Sequence, residues 1–577
     1  LTMGNAASCV PRWCSRWVDA DAKPCALGAV GCGLEAVDCA VAGAVSCAAG
    51  EVPQGAAAEG AQNGAMGPCR AVGQLTSDGR RSDAFVDALP VPPRQRWCAD
   101  DADAPPRDCK PGEVGCAVGE EPVPDKPGLC RPMIGTDLLC PTGFIESGLR
   151  PGSPLPRCEP DPGACEQIDP AIVAAKSVIY VDAAASNGDG SLGAPFATLA
   201  AALNVATTGA VIAFAAGSYV GTQTLTEKVT LVGRCAALVT MTGSANTPAL
   251  TIGPLASGTT LRGITFSNGR RGVEISGASK VVVERVLIGP NFERGLSMNY
   301  GASATIRDSI IEDVAVVHKG QHAEGIVVDV QSHVTVERVR VCGVAGHGVL
   351  VRVDSSLTAT DLLVDGTNYL NAEVLGGMGI WLDTNAKATL RRVRLSHNRS
   401  FGAGAFALST LHAERLAIEH LRPAAGQSPV SIGLTSAGAV SKVVASAVRI
   451  DDVFGIAVQS SDDGADLKLT HAAIERTASF TVDDSLTTAL GVYDAATATV
   501  RSVYIEDSKG AGVHVDRKGS KLELEDVVIH HVRNTAAKGG GYGIHLGSGV
   551  ELTLRRVYIG DVVEAGILSD FDGAKVD

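Results

Sequence analysis

The residues able to do chemistry fall into rows once the chain is aligned on a recurring glycine. Asp329, Arg352 and Asp383 each stand four residues after such a glycine, and Trp381 stands two after its own. The second residue after the glycine runs Glu274, Ser297, Val327, Leu350, Trp381, Ala457, His514 and His545. The fourth runs Ser276, Asn299, Asp329, Arg352, Asp383, Gln459, Asp516 and Gly547. If these segments are neighbouring strands, about 4.8 Å apart, Arg352 reaches both Asp329 and Asp383. Carboxylates and a guanidinium can hydrogen-bond sugar hydroxyls, and an indole can stack on a sugar ring. The competing reading is an alternating-charge ladder with one exposed tryptophan. His514 and His545, with Asp516 near, lack the third and fourth ligands a metal would need. They read as a surface pair, and no metal or cofactor is expected.

Other chemistries find no support in the chain. No Gly-rich phosphate loop, Gly-x-Ser-x-Gly elbow or His-Glu-x-x-His motif occurs. The formal charge of −14, without a basic patch, argues against nucleic acid as a partner.

The glycine rows belong to a longer repeat. A Val-x-Ile type segment recurs from Leu261 to Phe266, then ends at Ile288, Ile311, Val341, Val364, Leu395, Ile418, Ile450, Ile474, Ile505, Ile529 and Ile559. The steps are 22, 23, 30, 23, 31, 23, 32, 24, 31, 24 and 30 residues. A period of this size marks a solenoid, and two short alternating strand segments per repeat imply strands with one face in and one out. Leucine-rich, helical and propeller repeats need other spacings. The expected fold is therefore all-β, a right-handed single-stranded parallel β-helix. The longer steps place loops on alternate coils, at 314–324, 366–378, 398–405, 421–428, 477–488 and 534–541. Such a loop-bearing face is either a binding face or tolerated decoration.

An open solenoid end needs a cap. Residues 196–205 read as a short capping helix, with Pro195 in its first turn and Phe196, Leu199, Ala202 and Leu203 on its apolar face. At the other end the last coil, near Gly566, is expected to be open, or covered by a protein partner or a further stretch of chain.

The front of the chain differs. Cys9, Cys14, Cys25, Cys32, Cys39, Cys47, Cys69, Cys98, Cys109, Cys116, Cys130, Cys140, Cys158 and Cys165 crowd into it, with Gly and Pro and few large apolar residues. None of the five intervals among the first six cysteines suits a zinc site, so the cysteines read as disulfides of an oxidising, extracytoplasmic compartment. Cys235 and Cys342 lie several coils apart, too far to bridge each other, and read as buried single thiols. The expected organisation is a Cys-rich region over 1–70, a linker over 71–96, a second Cys-rich region over 97–170, the β-helix opening over 177–256, and repeats over 257–577. No transmembrane segment is expected: the apolar stretch 29–49 is interrupted by Glu35 and Asp38. No secretory leader is visible, although Cys9 after Asn5-Ala6-Ala7-Ser8 resembles a lipoprotein cleavage site.

Tyr180-Val181-Asp182, Asn187-Gly188-Asp189-Gly190, Pro195-Phe196-Ala197-Thr198-Leu199 and Gly209 through Tyr219 resemble the opening module of secreted bacterial pectate-lyase-like β-helix proteins. Cys140-Pro141-Thr142-Gly143-Phe144 and Arg157-Cys158-Glu159 resemble Cys-rich segments of myxobacterial surface proteins. The first resemblance implies a secreted β-helix, which in that family serves lyases, hydrolases, tailspikes and adhesins, so fold alone does not choose. A lyase needs a strong base beside Asp residues holding Ca²⁺, and a hydrolase needs paired carboxylates. Asp451-Asp452, Asp462-Asp463 and Asp483-Asp484 look like the carboxylate pairs of polygalacturonase-like hydrolases, but the accompanying Asn-x-Asp, Gly-His and Arg-x-Lys signatures are missing. The leading expectation is a secreted or cell-surface non-catalytic binding or structural protein that adheres to carbohydrate. Its rivals are a lyase or hydrolase with a diverged site and a passive rigid spacer. The expected partner is a polysaccharide or cell-surface glycan.

Overall fold

The computed structural model describes residues 91–577 except 100–103, 112, 114, 124–128, 137–139, 151–152, 154, 167–168, 176, 187, 317–322, 369–375, 424–429, 479–486, 536–538 and 570–572. Before residue 91 it describes the backbone of four short strand segments, Trp13–Cys14 with Lys23–Pro24 and Glu51–Pro53 with Cys69–Ala71, both pairs antiparallel. The disulfides expected of Cys9, Cys14, Cys25, Cys32, Cys39, Cys47 and Cys69, the linker up to residue 90 and Asp483-Asp484 lie outside the described residues. Leu1–Pro90 and Val91–Asp577 are two compact units.

The second unit is a parallel β-helix. One 33-stranded sheet winds through it, each strand pairing in parallel with its counterpart one coil later. Each coil has three straight pieces rather than the two expected. In Ser303–Glu312 the chain bends at Asp308, whose φ is 48°. The same bend recurs at Arg285, Arg338, Asp361, Arg392 and Arg415. It divides the repeating segment into a first and a second face, and the glycine-led strand makes the third. The sign was present in the spacing. Val283, Val286 and Ile288, like Val336, Val339 and Val341, are all fully buried, at intervals of three and then two. Strict alternation would have thrown one of them outward.

A left-handed residue other than glycine costs about 1–2 kcal/mol. The stacked bends recover part of that cost through charge. Arg338 Nε and Nη2 donate to Asp308 Oδ1 and Oδ2 at 2.7 and 2.9 Å. Arg392 repeats the fork on Asp361 at 2.7 and 2.9 Å. Bidentate pairs of this kind are the strong form of the interaction.

The N-terminal helix is shorter than expected. It spans Leu199–Val205, and Thr198 Oγ1 caps it by accepting from the Ala201 N–H at 3.2 Å. Pro195 and Phe196 precede it in extended chain, where the Asp182 N–H donates to the Phe196 carbonyl at 2.8 Å. Thr198 is the better helix start because its side chain satisfies a free N–H. Leu199 and Ala202 are buried against the first coil. Of the expected loops, 398–405 is instead mostly strand, Phe401–Phe406. The other five insertions leave the coil at one corner, between the second and third faces.

Residues 91–170 lie lengthwise along the second face, running from the last coils back to the first. Arg94 pairs with Glu475 and Glu506 at 2.6 and 2.8 Å. Trp97, Val118 and Met133 pack with Ala447, Tyr504 and Val528. Further along, Phe144 and Cys158 pack with Ile310. Asp169 then pairs with Arg262 and Arg285 at 3.2 and 2.9 Å. This strap explains why outward residues of the second face, such as Ile310, Leu363, Ala417 and Val528, are apolar and buried. Where the strap crosses Val393 it carries Gly135 at φ 75°. A Cβ there would come within 2.3 Å of the Val393 carbonyl oxygen.

Four disulfides secure the strap: Cys98–Cys109, Cys116–Cys130, Cys140–Cys158 and Cys165–Cys235. The last corrects the expectation for Cys235, which is not a single thiol. The strap returns to the first coil and brings Cys165 alongside it, a proximity that distance along the chain conceals. Cys342 is a buried free thiol. Four bonds of this kind fit an oxidising, extracytoplasmic compartment. No helix among the described residues is long and apolar enough to cross a membrane.

Candidate functional site

The third face carries the rows read from the sequence, with one change of register. Ile456 pairs with Ile432 and Val458 with Leu434, so Ala457 takes the recurring glycine position. Gln459 therefore stands in the Trp381 row, and Ser461 in the Asp383 row. Gly455, with φ 134°, lies two residues too early to mark the strand.

Asp329, Arg352 and Asp383 do come together. Arg352 Nε and Nη2 donate to one oxygen of Asp329, Oδ2, at 2.9 and 2.7 Å. Arg352 and Asp383 are direct partners in the parallel register. The Asp329 hydrogen bonds, with the fields of Glu324 and Asp383, hold the guanidinium still more firmly charged. Between this row and the recurring glycine, Val327 and Leu350 point outward yet are buried, so the floor is apolar and covered.

Trp381 is at the surface but does not stand alone. Phe406 stacks on it with centroids 3.7 Å apart and planes 14° from parallel. Phe401 and His347 meet it edge-on at 5.4 and 6.1 Å. Gly404, the residue one coil on from Trp381 in its row, makes room for this. A side chain there would strike the Phe406 ring at 2.5 Å. Phe406 thus occupies one face of the indole, with Phe401 and His347 packed around the rest of the ring. Phe401, Phe406 and His347 escaped the sequence reading. The Gly-x-aromatic pattern of Gly404-Ala405-Phe406, repeated in Gly491-Val492-Tyr493, is the available signal.

His514 and His545 stack at 4.7 Å with planes 16° apart. Tyr493 meets His514 edge-on at 5.4 Å, and Tyr542 lies 5.2 Å from His545. Asp516 accepts from the Arg517 N–H at 2.7 Å. Among the described residues, the only group of three His, Cys, Asp or Glu donors close enough for one ion is Cys98, Cys109 and Glu113, whose cysteines are already joined to each other.

Beside the Asp329 row lies a carboxylate network that the sequence reading missed. Arg294 Nε is 3.1 Å from Glu324 Oε2 and 3.8 Å from Glu293 Oε1. Arg271 Nη2 is 3.6 Å from Glu293 Oε1 and also pairs with Glu274. Glu324 is buried, and desolvation outweighs Arg294, raising its carboxyl to about 7. Nothing in the local sequence Ala323-Glu324-Gly325 distinguishes this glutamate, because burial is a property of the assembled coils.

Asp451 and Asp452 turn away from each other. Burial pushes the Asp451 carboxyl up against the pull of Arg449 and Arg476. Asp452 is also partly desolvated, but hydrogen bonds from His420 and Arg422, at 2.7 and 2.5 Å, hold it down at about 2. Asp462 accepts from the Gly438 N–H at 2.8 Å in a turn.

No family model matches the chain, and no curated protein matches it in sequence. Among solved structures it is similar to the pectate lyase Pel9A, with 14% identity and a TM-score of 0.36 over 55% of this chain and 79% of that one. It is also similar to a GH87 α-1,3-glucanase catalytic domain in complex with tetrasaccharides, with 12% identity and a TM-score of 0.35 over 71% and 68%. A third is the GH136 lacto-N-biosidase from Eubacterium ramulus, with 10% identity and a TM-score of 0.29 over 70% and 68%. Likeness at this level carries nothing about activity. The chain is a disulfide-strapped parallel β-helix, at low identity to lyase and glycosidase solenoids.

Proposed function

We propose that this chain is a secreted or outer-surface protein that binds polysaccharide on its third face, at Asp329, Arg352, Trp381 and Asp383. The observation that carries the reading is the partly exposed aromatic group of Trp381, Phe401 and Phe406 next to an Asp–Arg–Asp row on successive coils, in which Arg352 is hydrogen-bonded to Asp329 and stands beside Asp383. Most coils place small or aliphatic residues at the Trp381 position, and the fold itself does not need an indole there. Aromatic rings beside directed polar groups suit a sugar chain, with one apolar face per ring and hydroxyls at its rim. His514 and His545 would extend the same face at the far coils.

A second reading, a lyase or hydrolase, is favoured by Glu324. A buried carboxylic acid that keeps its proton near neutrality is what a general acid requires. Glu293 lies across Arg294 from it and is the candidate partner carboxylate.

One experiment separates the readings. The purified protein is screened on a glycan array and, in parallel, assayed for released reducing or unsaturated sugar ends. Binding without turnover, weakened by Trp381→Ala and by Arg352→Ala, supports the first reading. Turnover abolished by Glu324→Gln moves the function to the second. No binding on any glycan would sink both.

A further inference from the structure

Beyond Trp381 the third face changes character. Each coil from Arg271 to Asp383 carries charge on this face. The next four coils, which begin the face at Phe401, Ile432, Ile456 and Thr488, carry none. The Trp381 row continues through them in register as Gly404, Thr435, Gln459 and Gly491. The rows on either side, from Phe401 to Thr488 and from Phe406 to Tyr493, hold only apolar and hydroxyl side chains. The first face of the same coils keeps its charges, among them Glu414, Lys442, Lys468 and Arg501.

An aromatic ring closes each end of the uncharged strip by the same device. Phe406 lies over Gly404 and Tyr493 over Gly491, two residues back on the same strand, where a Cβ would strike the ring. Each ring meets another beyond the strip: Phe406 stacks on Trp381, and Tyr493 meets His514 edge-on at 5.4 Å. The two glycines are three coil steps apart, about 14 Å. Between them Thr435 is 1% exposed, and Thr435 Oγ1 and Gln459 Oε1 have no hydrogen-bond partner among the described residues. Shielded polar atoms normally have one.

We infer, on the basis of the polysaccharide reading above, that this strip is the middle of a groove for an uncharged polysaccharide, which runs along the solenoid axis from Trp381 to His514 with Thr435 and Gln459 as its hydrogen-bonding floor. The charge pattern disfavours an acidic chain. A carboxylate laid on the strip gives up water with no cation there to replace it. At the strip's corners Arg422 is paired with Asp452 and Asp494 with Arg517, Asp462 adds negative charge, and Arg399 lies at the Trp381 end. One guanidinium at one end does not match a carboxylate on every sugar. An uncharged chain finds aromatic surface for its apolar side, and at Thr435 and Gln459 a hydroxyl and an amide for its own hydroxyls.

The test is affinity electrophoresis of the full chain in gels that contain soluble starch, a mixed-linkage β-glucan or galactomannan, and in gels that contain polygalacturonate or alginate. The expected result is retardation by at least one neutral polysaccharide and by neither acidic one, with or without Ca²⁺. Tyr493→Ala and Gln459→Lys should each weaken that retardation several-fold, whereas Tyr493→Phe, which keeps the ring, should not. Retardation by an acidic polysaccharide, weakened by Arg352→Ala, would leave the polysaccharide reading standing and overturn the uncharged class. Neutral binding that is lost in Trp381→Ala but unchanged in Tyr493→Ala and Gln459→Lys would overturn the groove between the two rings. No retardation in any gel would overturn both the groove and the reading beneath it.

Discussion

The adhesion of the strap can be tested at Trp97. Its side chain is fully buried among Val118, Met133, Tyr504 and Val528, and its Nε1 donates to the Glu120 carbonyl at 2.9 Å. Trp97→Ala removes the largest buried side chain of that end, a loss of about 3–5 kcal/mol for a core aromatic. What remains is the smaller apolar contact of Val118 and Met133, together with ion pairs. Arg94 with Glu475 and Glu506, and Asp108 with His471 and Arg501, are part-exposed pairs, each contributing about 0–1 kcal/mol. The loss should therefore fall on local opening of the strap, not on the coils beneath. Hydrogen exchange measures this directly. Amides of Arg96–Cys98 and of Val118 should lose roughly two to three orders of magnitude of protection, since each tenfold corresponds to about 1.4 kcal/mol. Amides of Ile474 and Ile505, inside the β-helix, should keep theirs. A uniform loss along the solenoid, or an unchanged strap, would refute the view that the strap is a separately detachable layer held by Trp97.

Glu324 predicts a pH slope. Its folded carboxyl titrates near 7 against an ordinary 4.5, so the native state holds a proton that the unfolded chain has released. Stability from this group is present at low pH and is lost as pH rises from 4.5 to 7, by up to about 3 kcal/mol. The difference in denaturation midpoint between wild type and Glu324→Gln, followed over that range, should show it. Asp452 has the opposite sign. Held at about 2 by His420 and Arg422, it contributes stability above the ordinary carboxylate range and loses it as pH falls toward 2. In Asp452→Asn, chemical denaturation should show a smaller loss between pH 4 and 2 than in wild type. Ile474→Ala, in the fully buried stack, should cost about 2–5 kcal/mol in a urea melt.

The coil count, the parallel stacking and the third-face rows were legible because they are periodic. Each inward Val, Ile or Leu reports its own burial by its spacing from the next, and a glycine marks where the third strand begins. That is enough to bring Asp329, Arg352 and Asp383 together, since parallel register converts a fixed step along the chain into a neighbour about 4.8 Å away. Where the marker failed, at Gly455, the row slipped by two residues, because glycine serves tight corners as well as strand starts.

Other features depended on contacts that no local pattern records. The apolar outward residues Ile310, Leu363 and Val528 make sense only beneath a strap from the far front of the chain. Cys235 finds Cys165 because the strap ends beside the first coil. The raised carboxyl of Glu324 comes from burial created by several coils together, and Phe406 reaches Trp381 because Gly404 leaves the space open. Periodic side-chain chemistry determined the solenoid. Tertiary structure alone decided what covers it and which charges are taken out of water, because both depend on surfaces brought together from distant parts of the chain.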